Sequence, residues 1–405
     1  MGALPLKLMT NTADTGVTSL GDALQGYRVL FGISGGIAAT EAVRLGRELR
    51  RHGAELTVIM TPAACKVITP LAVGWACKCE VLTDWQPEMS QLENFDAVLV
   101  SPTSRNLLAR FVNGMMDSPL LMAMSAARGR GVPVMLVPSM HNDLFDDPVT
   151  SSLLDSASTT GVRCMVGPDQ EGRRKQPEPV DVVAELCNFV NSALPDRKRV
   201  AITLGANRAP IDAVRAIQNA SSGATGWTIA EHLHRVGHQV LCIAGKTSAS
   251  PSFELPEVIR AGSPDEMLEA VLSVAKESAP ECWIHAAAVL DYYTPAEQGK
   301  KASGADSWDL SLKPGPKHIR ELATHVEGAT RIGFKLETGI EVSELYERAR
   351  EQITEYGVDA VVANLMEQVR DSSTPRAHIV HSDGSVQVAA DEIEMCKAID
   401  LIITG

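Results

Sequence analysis

Two stretches of this chain concentrate side chains suited to holding an anion. The denser one reads Gly205-Ala206-Asn207-Arg208-Ala209-Pro210-Ile211-Asp212 and continues through Val214-Arg215-Ala216-Ile217-Gln218-Asn219-Ala220-Ser221-Ser222-Gly223-Ala224-Thr225-Gly226. It lies between an apolar run and a helical stretch. Ser221, Ser222, Gly223 and Gly226 offer hydroxyls and open backbone N–H groups at the positive end of a helix. Arg208 and Arg215 supply fixed cationic forks, and Asn219 both donates and accepts. A solvated turn needs no such density of polar and small residues. The sparser stretch, Gly32-Ile33-Ser34-Gly35-Gly36-Ile37-Ala38, sets Ser34, Gly35 and Gly36 where a strand gives way to a helix. That pattern serves a phosphate or merely a tight turn.

The elements that position these turns follow from hydrophobic period. An apolar run over 28–33, the glycine turn and helical spacing over 38–52 make strand, turn, helix. Strand-like 55–60, helical 62–76, strand-like 97–100, helical 105–113 and strand-like 133–137 continue the alternation, and a polar, proline-containing stretch at 167–179 precedes a helix over 180–193. After Leu194-Pro195-Asp196-Arg197-Lys198 the pattern restarts, with strands at 199–203, 239–244, 282–286, 331–334 and 360–362. Helices at 226–236 and 264–277 intervene, and a terminal hairpin is predicted around Asp383-Gly384. Such alternation implies parallel sheets covered on both faces. The fold class is therefore α/β, with two consecutive doubly wound, Rossmann-like domains. Residues 1–26 read as an N-terminal arm, 27–193 as the first domain, 194–198 as a linker and 199–405 as the second domain.

A formal charge of -13 argues against nucleic acid or an anionic membrane as partner, while leaving room for a local basic pocket. Eight cysteines are scattered, and Cys77-Lys78-Cys79 lacks the second pair that a zinc site requires. With neither a long apolar span nor a secretory start, the expected location is cytoplasmic.

Ser34 and Gly35, together with Ser101-Pro102-Thr103-Ser104-Arg105-Asn106 and Asn113-Gly114-Met115-Met116-Asp117, resemble the flavin-binding decarboxylases that include phosphopantothenoylcysteine decarboxylase. The resemblance covers roughly residues 27–179 and implies a flavodoxin-like flavoprotein domain holding FMN through Ser34, Gly35, Gly36, Ser101, Ser104 and Asn106. Glu88 stands where that family carries a histidine. Its Pro-x-Met-Asn segment reads Pro138-Ser139-Met140-His141, and its cysteine-bearing flap falls at 167–179, where there is no cysteine. Glu88 and His141 are thus candidate catalytic residues for altered flavin chemistry. The other reading is a retained FMN-binding or oligomerisation scaffold.

The run from Arg208 through Gly226 resembles the signature of phosphopantothenate-cysteine ligases. Ala286-Ala287-Ala288-Val289-Leu290-Asp291-Tyr292, Gly299-Lys300-Lys301, Leu312-Lys313-Pro314-Gly315-Pro316-Lys317, Gly333-Phe334-Lys335-Leu336-Glu337-Thr338 and Val361-Val362-Ala363-Asn364 follow in the family's order. The resemblance implies that Asn219 binds an acyl-nucleotide intermediate and that Lys300, with Lys301 as substitute, reaches triphosphate oxygens. It also implies that Asp291 holds Mg2+ and that Arg208, Arg215, Ser221, Ser222, Gly223, Ala287, Lys317, Phe334 and Lys335 contact substrate or nucleotide. CTP and ATP both remain open as cosubstrate. The implied acid is phosphopantothenate and the amine cysteine, in a homo-oligomer of the bifunctional coenzyme A biosynthesis family. A paralogue acting on another acid and amine, and a non-catalytic regulatory subunit, are the competing readings.

Overall fold

The computed structural model describes residues 14–302, 307–369, 371 and 373–405. The chain divides between Asn191 and Ser192 into two compact units.

Unit 1 contains β1 (Arg28–Ile33), β2 (Glu55–Met60), β3 (Val81–Leu82), β4 (Ala97–Thr103), β5 (Val134–Pro138), β6 (Met140–His141), β7 (Arg163–Cys164), β8 (Asp169–Gln170) and β9 (Arg173–Arg174). Its helices are α1 (Ala42–Arg51), α2 (Pro70–Cys77), α3 (Arg105–Val112), α4 (Pro119–Gly129), α5 (Asn142–Phe145), α6 (Pro148–Thr159) and α7 (Pro179–Asn191). The main sheet runs β3-β2-β1-β4-β5-β7 with parallel pairing. Val29, Phe31 and Ile33 of β1 pack with Leu45 and Leu49 of α1 and Val182 and Leu186 of α7. The intervening Leu30 packs with Leu120 and Leu121 of α4 on the opposite face. The alternation of a strand thus feeds two cores, which is what double winding requires.

Several expectations are corrected here. The helix read over 62–76 is a short turn at Ala64–Lys66 followed by α2, whose start is set by the Thr69 side chain accepting from the Ala72 N–H and by Pro70 in the first turn. The part of the N-terminal arm that is described packs against unit 1. Leu24 is fully buried in the first core, and Asp14 pairs with Arg47 at 3.0 Å. Residues 1–13 of that arm lie outside the described residues. The stretch at 167–179 carries the hairpin β8–β9, which pairs through β9 with β6.

Unit 2 contains β10 (Arg199–Leu204), β11 (Arg208–Pro210), β12 (Ala216–Gln218), β13 (Gln239–Ala244), β14 (Glu257–Arg260), β15 (Cys282–His285), β16 (Tyr292–Tyr293), β17 (Lys313–Pro314), β18 (Thr330–Glu337), β19 (Ala360–Leu365), β20 (Ala377–His381) and β21 (Val386–Ala389). Its helices are α8 (Ala224–Arg235), α9 (Pro264–Ser278), α10 (His318–Glu321), α11 (Val342–Tyr356), α12 (Met366–Val369) and α13 (Glu392–Thr404). The sheet order is β14-β13-β10-β15-β18-β19-β20-β21. It is parallel as far as β19, after which β20 and β21 add an antiparallel hairpin. Ala201, Leu241, Ile243 and Trp283 pack under Met267 and Val271 of α9. On the far side of β10, α8 approaches so closely that a Cβ at Gly226 would lie 2.4 Å from the Leu204 Cβ. No helix among the described residues is long and apolar enough to cross a membrane.

Candidate functional site

In an open parallel sheet, ligands bind beyond the carboxyl ends of the strands, where the strand order reverses. In unit 1 that point lies between β1 and β4, and the loops after both strands are stitched together there. Ser34 Oγ donates to the Pro102 carbonyl at 2.9 Å and accepts from the Ser104 N–H at 2.7 Å. Ser104 Oγ in turn accepts from the Leu107 N–H at 3.3 Å, capping α3. These two hydroxyls therefore hold the crevice in shape before any ligand arrives. Ser101 is fully buried, and its Oγ has no partner. A Cβ at Gly35 would lie 2.4 Å from the Ala63 Cβ, whereas one at Gly36 would meet nothing within 4 Å. Gly35 is thus needed for packing, and Gly36 opens onto free space. Asn106 is exposed at the start of α3.

The two candidates for flavin chemistry both lie at the surface. His141 is 53% exposed and is paired with Asp143 at 3.2 Å. Asn142, one position later, gives its Nδ2–H to Asp169 at 2.9 Å and so ties α5 to the β8–β9 hairpin. Glu88 is exposed on the loop after β3. His141 and Glu88 are both solvent-facing here, with no contact between them.

In unit 2 the order reverses between β10 and β15. Ala206 bridges Lys246 on one side and Ala288 on the other. The Ala288 carbonyl accepts the Asn207 N–H at 3.1 Å and Asn219 Nδ2 at 2.9 Å. Asn219 is thereby held at the switch point with its carbonyl oxygen uncommitted. Gly223, at a φ of 80°, caps α8, and the Ser221 and Ser222 hydroxyls accept from the Gly223 and Ala224 N–H groups at 3.3 Å each. These long bonds draw on the same N–H groups that an anion would use.

The segment that carries Ala288, the partner of Asn219, also borders a cavity of about 270 Å³ through Ala287 and Val289. Period-two alternation after β15 turns His285, Ala287, Val289 and Asp291 toward it, and Lys317, Phe334 and Lys335 close it from other segments. Five residues expected at the nucleotide, Ala287, Asp291, Lys317, Phe334 and Lys335, thus surround one cavity. Asp291 Oδ1 accepts from Lys317 Nζ at 2.6 Å, and Lys335 Nζ is 3.2 Å from Glu337 Oε1. Among the described residues no cluster of three or more His, Cys, Asp or Glu is arranged for a metal, so Asp291 would hold one only with help from ligand oxygens. Two histidines that the sequence reading passed over also line this cavity. His285 Nε2 is buried without a hydrogen-bond partner, and both ring nitrogens of His318 are buried beside the Pro264 backbone. Burial, with Arg331 and His318 nearby, lowers His285 to about 3, and burial lowers His318 to about 4. Both imidazoles are neutral. The alternation of 285, 287, 289 and 291 was the available signal for His285.

Arg215 is placed otherwise than as a free fork. Asp212, whose side chain is fully buried, accepts from the Val214 and Arg215 N–H groups, from Arg215 Nε and Nη2, and from the Lys301 N–H. These donors, the Val214 N–H foremost, hold the Asp212 carboxyl far below the usual carboxylate range. The Arg215 guanidinium also donates to the Lys301 carbonyl and lies 4.3 Å from the Trp308 ring. It organises the loop toward Lys301 instead of standing free. Lys300 is exposed and lines neither this cavity nor the larger one beside Arg208.

Residues 17–191 match the family described as flavoprotein, and residues 196–399 the family described as DNA/pantothenate metabolism flavoprotein C-terminal domain. The coenzyme A biosynthesis bifunctional protein of Thermococcus kodakarensis is 34% identical over 350 residues, 85% of this chain and 86% of that protein. Its Bacillus subtilis counterpart is 31% identical over 363 residues, 84% of this chain and 86% of that protein. A DNA/pantothenate metabolism flavoprotein structure from Streptococcus pneumoniae is 23% identical, with a TM-score of 0.47, and covers 51% of this chain and 98% of its own.

Proposed function

Because the chain belongs to the family of coenzyme A biosynthesis bifunctional proteins, we propose that unit 2 is a nucleotide-dependent, amide-forming ligase and unit 1 an FMN-binding domain whose decarboxylase chemistry is altered or lost. The observation that carries the ligase reading is the placement of Asn219 against Ala288 at the switch point, next to a cavity that gathers Ala287, Asp291, Lys317, Phe334 and Lys335.

In the first step the carboxylate of the acid attacks the α-phosphate of CTP or ATP, forming an acyl-nucleotide and releasing pyrophosphate. In the second an amine attacks the acyl carbon, the nucleoside monophosphate leaves, and the amine gives up a proton. The acid is phosphopantothenate and the amine cysteine. Negative charge grows on phosphate oxygens in the first step, so fixed cations aimed there contribute most of the stabilisation. Lys317, already oriented by Asp291, supplies it, and Lys300 joins only by moving in from its exposed loop. The free Asp291 oxygen would hold Mg2+, which would offset negative charge on the phosphates. Asn219 presents its carbonyl oxygen to the intermediate, and the Ser221 and Ser222 turn with Gly223 faces the phosphates.

The first unit fits FMN at the β1–β4 crevice. Open space at Gly36, the unpartnered Ser101 hydroxyl and a remaining lone pair on Ser34 provide a cradle, with Ser104 and Asn106 at its rim. Bound FMN would supply a two-electron acceptor. Altered chemistry is favoured by the exposure of His141 and its pairing with Asp143, and by the absence of cysteine from 167–179.

Purified protein should release pyrophosphate from CTP or ATP when given phosphopantothenate, and should form the amide when cysteine is added. Asn219→Ala should keep the first step and lose amide formation; unaltered amide formation in that variant would refute the role of Asn219. Stoichiometric carbon dioxide from phosphopantothenoylcysteine would overturn the reading of unit 1.

A further inference from the structure

A second cavity lies on the other side of Ala206, over the carboxyl ends of β13 and β14, and at about 660 Å³ it is larger than the first. Arg208, Lys246 and Arg260 line it, and none of the three forms a salt bridge within 4.0 Å among the described residues, although Lys246 stands near enough to help lower the Glu266 carboxyl. Adjacent parallel strands bring two of them together, since the pairing of β13 with β14 aligns Ala244 with Arg260 and Lys246 follows two residues later. The two carboxylates in the wall are already committed. Asp212 is bound to Arg215, and Glu266 Oε2 accepts the Gly262 and Ser263 N–H groups at 2.9 Å each, capping α9. That helix end is therefore filled by its own side chain and is not the attraction.

Arg208, Arg215, Lys246 and Arg260 against Asp212 and Glu266 leave the lining with a formal charge of +2, in a chain whose formal charge is -13. Like charges facing one concavity repel one another unless an anion enters, and guanidinium forks match phosphate oxygens in pairs. From these observations we infer that this cavity is a second ligand site, which takes a phosphate dianion on Arg208, Lys246 and Arg260. The inference rests on the ligase reading for the source of that phosphate.

Distance fits the phosphorylated end of the acid. Ala206 bridges both Lys246 and Ala288, so those two backbones stand about two strand spacings, roughly 10 Å, apart. An acid whose carboxylate sits at Asn219 therefore reaches the cationic cavity with a group at the far end of its chain. Pyrophosphate released in the activation step carries the same chemistry and is the other source.

The test uses the full chain and the variant Lys246→Gln/Arg260→Gln, with Arg208→Gln as an independent second variant. Both should fold, since all three side chains are exposed, and circular dichroism checks this. If the acid's phosphate is held here, KM for phosphopantothenate rises at least tenfold, KM for the triphosphate stays put, and the preference for phosphopantothenate over unphosphorylated pantothenate collapses. If pyrophosphate is held here, its inhibition constant rises by a similar factor while KM for the acid is unchanged; this result too supports the site. Wild-type kinetic constants in both variants overturn it. Should the wild-type protein release no pyrophosphate with any acid, the ligase reading fails. Calorimetric titration with inorganic pyrophosphate then decides the site separately, with binding lost in the variants supporting it and no wild-type binding refuting it.

Discussion

Acid should destabilise unit 2 through His285 and His318, the half-buried and buried imidazoles of its smaller cavity. His318 is only 5% exposed, and His285 Nε2 is buried without a hydrogen-bond partner. With burial as the leading cause, His285 is lowered to about 3 and His318 to about 4, from an ordinary 6.5. Asp265 opposes the shift of His318, whereas Arg331 and His318 itself add to that of His285. An unfolded imidazole takes its proton near 6.5 and a folded one only near 3 or 4, so between these values the unfolded chain binds more protons. The stabilisation is complete above the unfolded value and drains away as pH falls through this window. At about pH 5 each group accounts for roughly 2 kcal/mol of lost stability, or about 4 kcal/mol for the pair as an upper figure. Urea unfolding followed by fluorescence in a Trp75→Phe/Trp85→Phe background measures this. The remaining tryptophans, Trp227, Trp283 and Trp308, all belong to unit 2. The loss between about pH 7.5 and pH 5 should shrink by most of that 4 kcal/mol in His285→Leu/His318→Leu. His378, also lowered by burial, leaves a smaller slope of the same sign. A saturating triphosphate should reduce the acid loss in the parent by favouring the imidazolium forms. A double variant that loses as much stability in acid as its parent would refute the reasoning.

Gly226→Ala would set a Cβ 2.4 Å from the Leu204 Cβ, and the same fluorescence assay should show unit 2 weakened by about 1–3 kcal/mol; full stability would mean that α8 moves away freely. Gly35→Ala forces its Cβ to within 2.4 Å of the Ala63 Cβ and should abolish flavin absorbance in purified protein while pyrophosphate release persists. Gly36→Ala, with nothing within 4 Å, should keep the fold yet weaken flavin binding, and normal flavin content in it would show that the open space is not ligand space. Asp212→Asn replaces a carboxylate that serves Val214, Arg215 and Lys301 at once. It should raise protease sensitivity around Lys301 and KM for the acid together, and a change in KM without added sensitivity would argue against a positioning role.

The strands were legible where burial on both faces leaves an unbroken apolar run. Gln239–Ala244 is such a strand, with every residue from Val240 to Ala244 buried, and its expected limits match those observed. Helices were lost when their pattern lacked contrast. In α4, Leu120, Leu121, Ala123, Met124 and Ala127 are all buried, so no polar stripe marks a face. In α11 the opposite holds, with only Leu345 and Ala349 buried along fifteen residues. Arg348, which pairs with Glu337 and Glu344, and Glu351 and Glu355 instead line the smaller cavity, and so many charges make the segment read as charged loop. The pairing of Lys246 with Arg260 was beyond reach for another reason. Fourteen positions separate them, and only the parallel register of β13 with β14 brings them to one rim.

Polar residues clustered at a glycine turn divide, once folded, into those that hold the turn and those left for a ligand. Sequence shows the cluster but not the division. Ser34, Ser104, Asp212 and Arg215 looked like ligand contacts or their neighbours, yet their hydrogen bonds go largely to the backbone and side chains of the loops around them. Ser101 Oγ and His285 Nε2 remain unsatisfied although buried, which is costly unless something else supplies the partner. The first group fixes the crevice and the second addresses what enters it. Replacing Asp212 should therefore disturb geometry for every ligand of unit 2, whereas replacing His285 should alter affinity for one ligand and leave the loop in place.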